Sequence, residues 1–290
     1  MTVAHLAVLG TGKMGGAIAR RLAEIDPDIA LWNRTQARAA ALGIGRVAAT
    51  PADAVHGADI VVSSLTGPDA VRAAYLGPGG ALSVHEPILY VETSTAGPDL
   101  VDELASRVRE AGGRLVDAPI LGAPAAVQSG SAAVLVGGEA ADVEQARPVL
   151  ARLGEVRHVG GLGSAARLKL VANSMLATVV VAAAELQVAG EEAGLPPDQV
   201  FWALARIAPV LAPRRAGYLE DRHQPAQFAV RDLRKDVHLA LGLFEASGAA
   251  VPLTTGISAR VDEATAGWAN DDITAVIRAY RAGAETASGA

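Results

Sequence analysis

Lys169 and Asn173 are four residues apart at the start of the most apolar stretch of this 290-residue chain. In a helix that spacing places both side chains on one face, about one turn apart. An ammonium group that loses its solvent on an apolar helix gives up its proton more readily, so the pair could act as a general acid and an orienting amide. The spacing is equally compatible with a helix-end lysine whose stem covers apolar surface while its ammonium reaches water.

A glycine-rich turn near the start of the chain points to a different task. It follows the predicted strand Val3–Leu9, opens the predicted helix Lys13–Ile25 and consists of Gly10-Thr11-Gly12-Lys13-Met14-Gly15. In such a turn the first glycine permits the sharp bend, the second lets the backbone approach a pyrophosphate, and the third lets helix and strand pack closely. The free N–H groups at the helix start attract the anion. The turn predicts a dinucleotide-binding site, with an ordinary strand-to-helix turn as the alternative.

The residues after the second predicted strand bear on the choice between NAD and NADP. At this point an NAD-binding protein carries an acidic residue for the ribose 2′-hydroxyl. The chain instead has Asn33-Arg34-Thr35. A guanidinium with amide and hydroxyl neighbours can donate hydrogen bonds to a 2′-phosphate, whereas a carboxylate would repel it. The sequence therefore favours NADP, and a surface arginine after a strand is the alternative.

Two polar segments follow later predicted strands, Ser63-Ser64-Leu65-Thr66 and Glu92-Thr93-Ser94-Thr95. Sheets of this class bind ligands at the carboxyl ends of their strands. Ordinary strand-end turns would look much the same. The predicted neighbours of the ribose and nicotinamide are Leu65, Thr66, Ser94 and Thr95.

Composition excludes several classes of protein. The chain has no cysteine, so a disulfide framework, a thiolate metal site and a cysteine nucleophile are excluded, and we expect no metal site. A net charge of −6 with scattered basic residues argues against nucleic acid. The apolar stretch 170–184 falls short of the roughly 20 residues that a bilayer requires. We expect a cytoplasmic protein without membrane partners or a secretory signal.

Alternating apolar and amphipathic segments predict repeated βαβ units and a parallel sheet in the first half of the chain. From residue 163 the pattern is helical, beginning with a long apolar helix over 165–193 that other elements should enclose. The predicted fold is α/β, with a Rossmann-type NADP-binding domain over residues 1–162. A helical substrate and dimerisation domain is predicted over residues 163–290, joined by the long helix.

Several motifs, taken in order, resemble the β-hydroxyacid dehydrogenases, which include 3-hydroxyisobutyrate dehydrogenase. The resemblance covers nearly the whole chain and begins with the glycine turn. The motifs that carry it further are Asp117-Ala118-Pro119-Ile120-Leu121-Gly122-Ala123, Gly160-x-x-Gly163, Lys169-x-x-x-Asn173, Phe228, Lys235-Asp236-Val237, Pro252-Leu253-Thr254, Gly267 and Asp272.

The resemblance implies an enzyme that interconverts a hydroxyl and a carbonyl group with NAD or NADP, and a homodimer. By resemblance Lys169 is the proton donor and Asn173 its partner. Lys235 should approach the nicotinamide end of the cofactor and Asp236 should hold that segment in place, although a surface ion pair is the simpler interpretation. The small-molecule substrate should lie against Leu121-Gly122-Ala123.

One departure affects the substrate. Many relatives carry Ser-Gly-Gly where Leu121-Gly122-Ala123 stands here, and the leucine cannot donate a hydrogen bond to a carboxylate. The backbone N–H of Gly122, or the hydroxyls of Ser129 or Ser131, remain as donors. The site is therefore expected to tolerate a more apolar substrate. His238 is expected to be a packed or surface histidine.

Two alternatives remain open from the sequence. The first is an imine reductase, a related group in which hydride is added to a C=N carbon; Leu121 suits it and Lys169 counts against it. The second is an NADP-binding sensor that keeps the fold and catalyses nothing, which retention of Lys169 and Asn173 disfavours. The longer 6-phosphogluconate dehydrogenases share the cofactor domain but have a larger helical part.

Overall fold

The computed structural model describes residues 4–288, so Val3 of the predicted first strand lies outside the described residues. Contacts divide the chain into two units between Lys169 and Leu170. The first unit holds the nine-stranded sheet. Its strands are β1 Leu6–Leu9, β2 Ala30–Trp32, β3 Arg46–Val47, β4 Ile60–Ser63, β5 Leu89–Glu92, β6 Arg114–Asp117, β7 Ile120–Leu121, β8 Ala132–Gly137 and β9 Gly154–Gly160.

The sheet has the order β3-β2-β1-β4-β5-β6-β8-β7, with β9 also paired to β8. Strands β1 to β6 run parallel, as the alternating pattern predicts. The expectation of a parallel sheet throughout was wrong at one end, where β8 runs antiparallel to both β6 and β7. A short connection through β7 and the helix after it reverses the chain there, because no full crossover helix is available.

Each helix of the first unit covers one face of the sheet. They are α1 Lys13–Leu22, α2 Gln36–Ala40, α3 Pro51–Val55, α4 Pro68–Leu76, α5 Pro98–Glu110, α6 Pro124–Gln128 and α7 Ala140–Leu150. Four of them begin with proline, whose missing N–H costs nothing at the first helical position. Alternate residues of β1 enter two separate cores, Leu6 and Val8 on one face and Ala7 and Leu9 on the other. A strand buried on both faces fixes the position of the turn that follows it.

The described part of the second unit is helical, with one isolated bridge between Ala229 and Asp272. Its helices are α8 Ser164–Glu192, which begins in the first unit, α9 Pro197–Ile207, α10 Arg215–Leu219, α11 Val230–Ala246, α12 Pro252–Trp268 and α13 Ile277–Ser288. The predicted helix 165–193 corresponds to α8 within one residue at each end. Tyr218 and Val237 lie in the core of this unit.

Helix α8 is long and apolar enough to cross a membrane by length and composition, contrary to the sequence estimate. Half of its most apolar 18-residue stretch is buried within the protein. It also carries the buried polar side chains of Asn173 and Gln187, which bond to other parts of the chain. We interpret α8 as a core helix. Its enclosure is incomplete, since Val171, Met175 and Leu186 are exposed.

Candidate functional site

The three glycines of the turn differ in how much room the fold leaves for a Cβ atom. Gly10 has φ +95°, and a Cβ atom there would lie 2.3 Å from the Ser64 carbonyl oxygen. A Cβ atom on Gly15 would lie 1.9 Å from the Gly10 carbonyl oxygen. Both glycines are therefore needed by the fold itself. A Cβ atom on Gly12 would meet no protein atom within 4 Å, so the fold does not need this glycine.

The space beside Gly12 suits the phosphates of a dinucleotide. Gly12 is the N-cap of α1 and contributes no side-chain cap, so the first N–H groups of that helix have no partner from this residue. The Thr11 hydroxyl is buried and has no hydrogen-bond partner in the described structure. A bound pyrophosphate would accept from these donors, which is what the turn requires of its ligand.

Asn33 makes two hydrogen bonds within the protein. Its Oδ1 atom accepts from the Thr11 N–H at 3.0 Å, and its Nδ2 atom donates to the Thr35 carbonyl oxygen at 3.0 Å. The side chain thus fixes the glycine turn against the end of β2. Arg34 and Thr35 are exposed at this strand end, and Lys13 is exposed on the first turn of α1 beside the half-buried Met14.

The two strand-end segments lie side by side, as predicted from the parallel pairing of β4 and β5. The Leu65 N–H donates to the Ser94 hydroxyl at 2.8 Å, so the side chain of Ser94 holds the neighbouring segment. Thr66 is exposed, whereas Leu65 and Thr95 are half-buried. The structure brings all four predicted residues to the same sheet edge as the glycine turn.

Asp117, at the end of β6, holds the start of helix α8. Its buried carboxylate accepts from the Gly163 N–H at 2.8 Å and from the Ala166 N–H at 2.7 Å. Burial raises the pKa of this carboxyl, and the two backbone hydrogen bonds oppose that rise. A carboxylate at a helix N-terminus also interacts favourably with the helix dipole. Sequence reasoning assigned Asp117 only to a motif; its contact with the helix start was not predictable from spacing.

Lys169 lies one turn further along α8 and is half-buried. Its Nζ atom donates to the Ile120 carbonyl oxygen at 2.8 Å. The residue after that carbonyl is Leu121, the first of the predicted substrate segment. The ammonium therefore lies beside this segment.

The substrate segment presents backbone rather than side-chain donors. Leu121 is half-buried, Gly122 has φ +143°, and Ala123 is exposed before the short helix α6. The alternative donors Ser129 and Ser131 are bonded to each other at 2.8 Å, and the Ser129 hydroxyl also donates to the Ala126 carbonyl.

The helical unit contains a hydrogen-bonded network around Asp236. The Asn173 amide donates to Asp236 Oδ2 at 2.5 Å, and Lys235 Nζ donates to Asp236 Oδ1 at 2.5 Å. Asp236 is only 2% exposed, so its charge depends on these donors. The alternative of a simple surface ion pair does not describe this arrangement, because Asp236 is buried and is joined to helix α8 through Asn173. His238 is exposed and pairs with Asp262 at 3.0 Å.

Comparison with known proteins places this geometry in a family. Residues 5–161 match the NAD binding domain of 6-phosphogluconate dehydrogenase, and residues 163–280 match the NAD-binding domain of NADP-dependent 3-hydroxyisobutyrate dehydrogenase. The chain belongs to the β-hydroxyacid dehydrogenase family. As a member it is an oxidoreductase that uses a nicotinamide dinucleotide.

Curated relatives match this β-hydroxyacid dehydrogenase over nearly its whole length. An uncharacterized oxidoreductase of Synechocystis is 31% identical, and the match covers 97% of this chain and 99% of the relative. Glyoxylate/succinic semialdehyde reductase 2 of Arabidopsis thaliana, a chloroplastic protein, is 25% identical over 94% of this chain and 78% of its own length.

Solved structures share the fold. The 3-hydroxyisobutyrate dehydrogenase of Mycobacterium tuberculosis, solved with L-serine, has a TM-score of 0.84 and 25% identity over 97% of this chain and 100% of its own. An imine reductase of Myxococcus stipitatus, solved with NADP⁺, has a TM-score of 0.61 and 24% identity over 94% of this chain and 99% of its own.

Proposed function

We propose that this dehydrogenase uses NADP to interconvert the carbonyl and hydroxyl forms of a small β-hydroxyacid or semialdehyde-like substrate, with Lys169 as proton donor. The observation that carries the proposal is the 2.8 Å hydrogen bond from Lys169 Nζ to the Ile120 carbonyl. It holds an ammonium beside the predicted substrate segment, where a reducible carbonyl oxygen would need a proton.

Each residue of the proposed site would have its own role in binding or proton transfer. When bound, the dinucleotide supplies or accepts the hydride, and the glycine turn with Thr11 would hold its pyrophosphate. Lys169 would give a proton to the substrate oxygen during reduction and recover it during oxidation. Asn173 would orient substrate or lysine, and its bond to Asp236 holds its amide in a defined position. The Gly122 N–H is the backbone donor available for a substrate anion.

The proposed preference for NADP rests on Arg34 and Thr35. Both are exposed at the end of β2, and the segment Asn33-Arg34-Thr35 carries no acidic side chain to repel a 2′-phosphate. We expect Arg34→Ala to raise the Kd for NADPH by about 10- to 100-fold, because a hydrogen bond to a charged group is worth about 1.5–3 kcal/mol.

Fluorescence titration with NADPH and NADH measures this effect. NADH lacks the 2′-phosphate and serves as the internal control, so its Kd should be unchanged in the variant. Equal weakening of both cofactors would assign Arg34 to the general fold of the turn instead of to phosphate recognition.

A substrate panel tests the proposed reaction. The purified protein would be mixed with NADPH and with 3-oxo acids, semialdehydes or cyclic imines, and loss of absorbance at the NADPH band would be followed. We expect turnover of a carbonyl substrate. Leu121 favours an imine as the second candidate, since an imine substrate carries no carboxylate that would need a hydrogen-bond donor. Turnover of imines alone would replace the leading proposal, and cofactor binding without any turnover would favour the sensor.

We also propose a cytoplasmic homodimer. The helical unit exposes large apolar side chains, including Trp202 at 66% and Ile207 at 87% of their full surface. Both side chains lie on α9, and large contiguous apolar patches mark interaction surfaces; a second copy of the chain would cover this helix. Sedimentation velocity at micromolar concentration should show a dimer; a monomer at that concentration would contradict the proposal.

A further inference from the structure

Glu92, at the end of β5, is a carboxyl group buried without a cation. It is 2% exposed, and no salt bridge neutralises it in the described part of the chain. Burial raises the pKa of this carboxyl, and hydrogen bonds from Ser94 and Ser63 oppose that rise. An unpaired buried carboxyl is costly, and it persists only where its hydrogen bonds are well made.

The carboxyl group joins the ends of two neighbouring strands. Its Oε2 atom accepts from the Ser63 hydroxyl at 2.7 Å, at the end of β4. Its Oε1 atom accepts from the Ser94 N–H at 2.7 Å, two residues further along its own segment. The buried Tyr75 hydroxyl lies 2.7 Å from the Ser63 hydroxyl and belongs to the same cluster.

The linkage continues to the glycine turn. The Ser94 hydroxyl accepts from the Leu65 N–H, and a Cβ atom on Gly10 would lie 2.8 Å from the Leu65 side chain. The same hypothetical atom lies still closer to the Ser64 carbonyl. Displacement of Ser94 or Leu65 would therefore change the packing around Gly10, in the turn that is proposed to hold the pyrophosphate.

We infer that Glu92 is a positioning residue for the cofactor, fixing the segments 63–66 and 92–95 in the arrangement that receives the ribose and nicotinamide. The inference rests on the proposed function, because those segments are cofactor-binding only if the dinucleotide binds there. The carboxylate has an acceptor oxygen for each segment, since one receives the Ser63 hydroxyl at the end of β4 and the other receives the Ser94 N–H of the segment after β5.

The test compares Glu92→Gln with Tyr90→Phe. The glutamine keeps the size and can accept from the Ser94 N–H, but its amide nitrogen donates to the Ser63 hydroxyl instead of accepting from it, so the Ser63 proton must turn to Tyr75 or to the Val91 carbonyl. We expect its Kd for NADPH to rise about tenfold, since a hydrogen-bonded arrangement in a buried site is disturbed. The Tm should fall by no more than it does in the control variant, so that the weaker NADPH binding is compared with stability and not with turnover.

Tyr90→Phe is the matched control. It removes a buried hydroxyl two residues before Glu92 on β5, and that hydroxyl donates to the Ala81 carbonyl oxygen at 3.3 Å, outside the segments 63–66 and 92–95. The Tm should fall while the Kd for NADPH stays at the wild-type value. Glu92→Asp, which keeps the charge but is one methylene too short to span both donors, should weaken NADPH binding as Glu92→Gln does. If the glutamine variant does not fold, the Kd of Glu92→Asp for NADPH tests the positioning role instead.

The outcomes are distinct. Unchanged Kd in both Glu92 variants, or equal weakening in Tyr90→Phe, overturns the positioning role and leaves the proposed function intact. Failure of the wild type to bind any nicotinamide dinucleotide overturns both. Weaker NADPH binding confined to the Glu92 variants, at a Tm no lower than that of Tyr90→Phe, supports the proposal.

Discussion

Lys169→Ala should lower kcat by about 10²- to 10⁴-fold on any substrate that the wild type reduces, because a positioned general acid contributes about that much. The Kd for NADPH should change little, since the glycine turn and Arg34 lie outside the substitution. Steady-state kinetics with the substrate from the panel, together with a fluorescence titration, separate the two quantities. Loss of kcat at constant cofactor affinity identifies an interaction made with the reacting group.

Arg167→Ala is the matched control for this prediction. Arg167 lies two residues earlier on the same helix and is exposed, with its guanidinium 3.9 Å from Asp102. Such a surface pair contributes about 0–1 kcal/mol, so activity and stability should be nearly unchanged. If Lys169→Ala retained the wild-type kcat, the ammonium beside Ile120 would be a structural contact and the assignment of the proton donor would be wrong.

The fold of the first unit could be predicted from local signals. The alternation of apolar and amphipathic segments predicted the βαβ units and the parallel strands. Strands β3 and β7, which this pattern does not predict, have only two residues each, too few for a periodic pattern. The antiparallel β8 follows from tertiary packing against β6 and β7, which no local propensity encodes.

The site was less predictable than the fold. The spacing of Lys169 and Asn173 indicated a shared face of one helix but gave no partner for either side chain. Their contacts, to the Ile120 carbonyl and to Asp236, join residues 49 and 63 positions apart. Glu92 was visible only as part of a polar strand end, because burial of a carboxyl depends on the packing of neighbouring strands.

Asn33 shows the same limit in a single residue. Its position after β2 suggested a donor to a cofactor phosphate, yet both ends of its amide bond to the protein. An asparagine serves either purpose equally well, and the sequence does not distinguish them. The charge of Arg34, by contrast, has no such internal use in its exposed position, which is why cofactor preference is proposed from it.

Gly12→Ala and Gly15→Ala should separate binding from folding within a single turn. Gly12 has φ −67°, which alanine adopts without strain, and its Cβ would enter space free of protein atoms. The variant should keep the wild-type Tm but bind NADPH more than about 100-fold more weakly, because the methyl group occupies the space of the pyrophosphate. Thermal unfolding and NADPH titration measure the two effects.

Gly15→Ala, by contrast, should destabilise the fold and lose NADPH binding as a consequence. Its Cβ would lie 1.9 Å from the Gly10 carbonyl oxygen, a backbone atom that cannot move without displacing β1 from α1. Overpacking of this kind costs about 1–3 kcal/mol or more, so the Tm falls and binding is lost with the geometry of the turn. Gly16→Ala is the control, since its Cβ meets Leu42 at 3.4 Å, an ordinary contact. Unchanged NADPH binding in Gly12→Ala would show that the pyrophosphate does not lie at this turn, whatever the family resemblance.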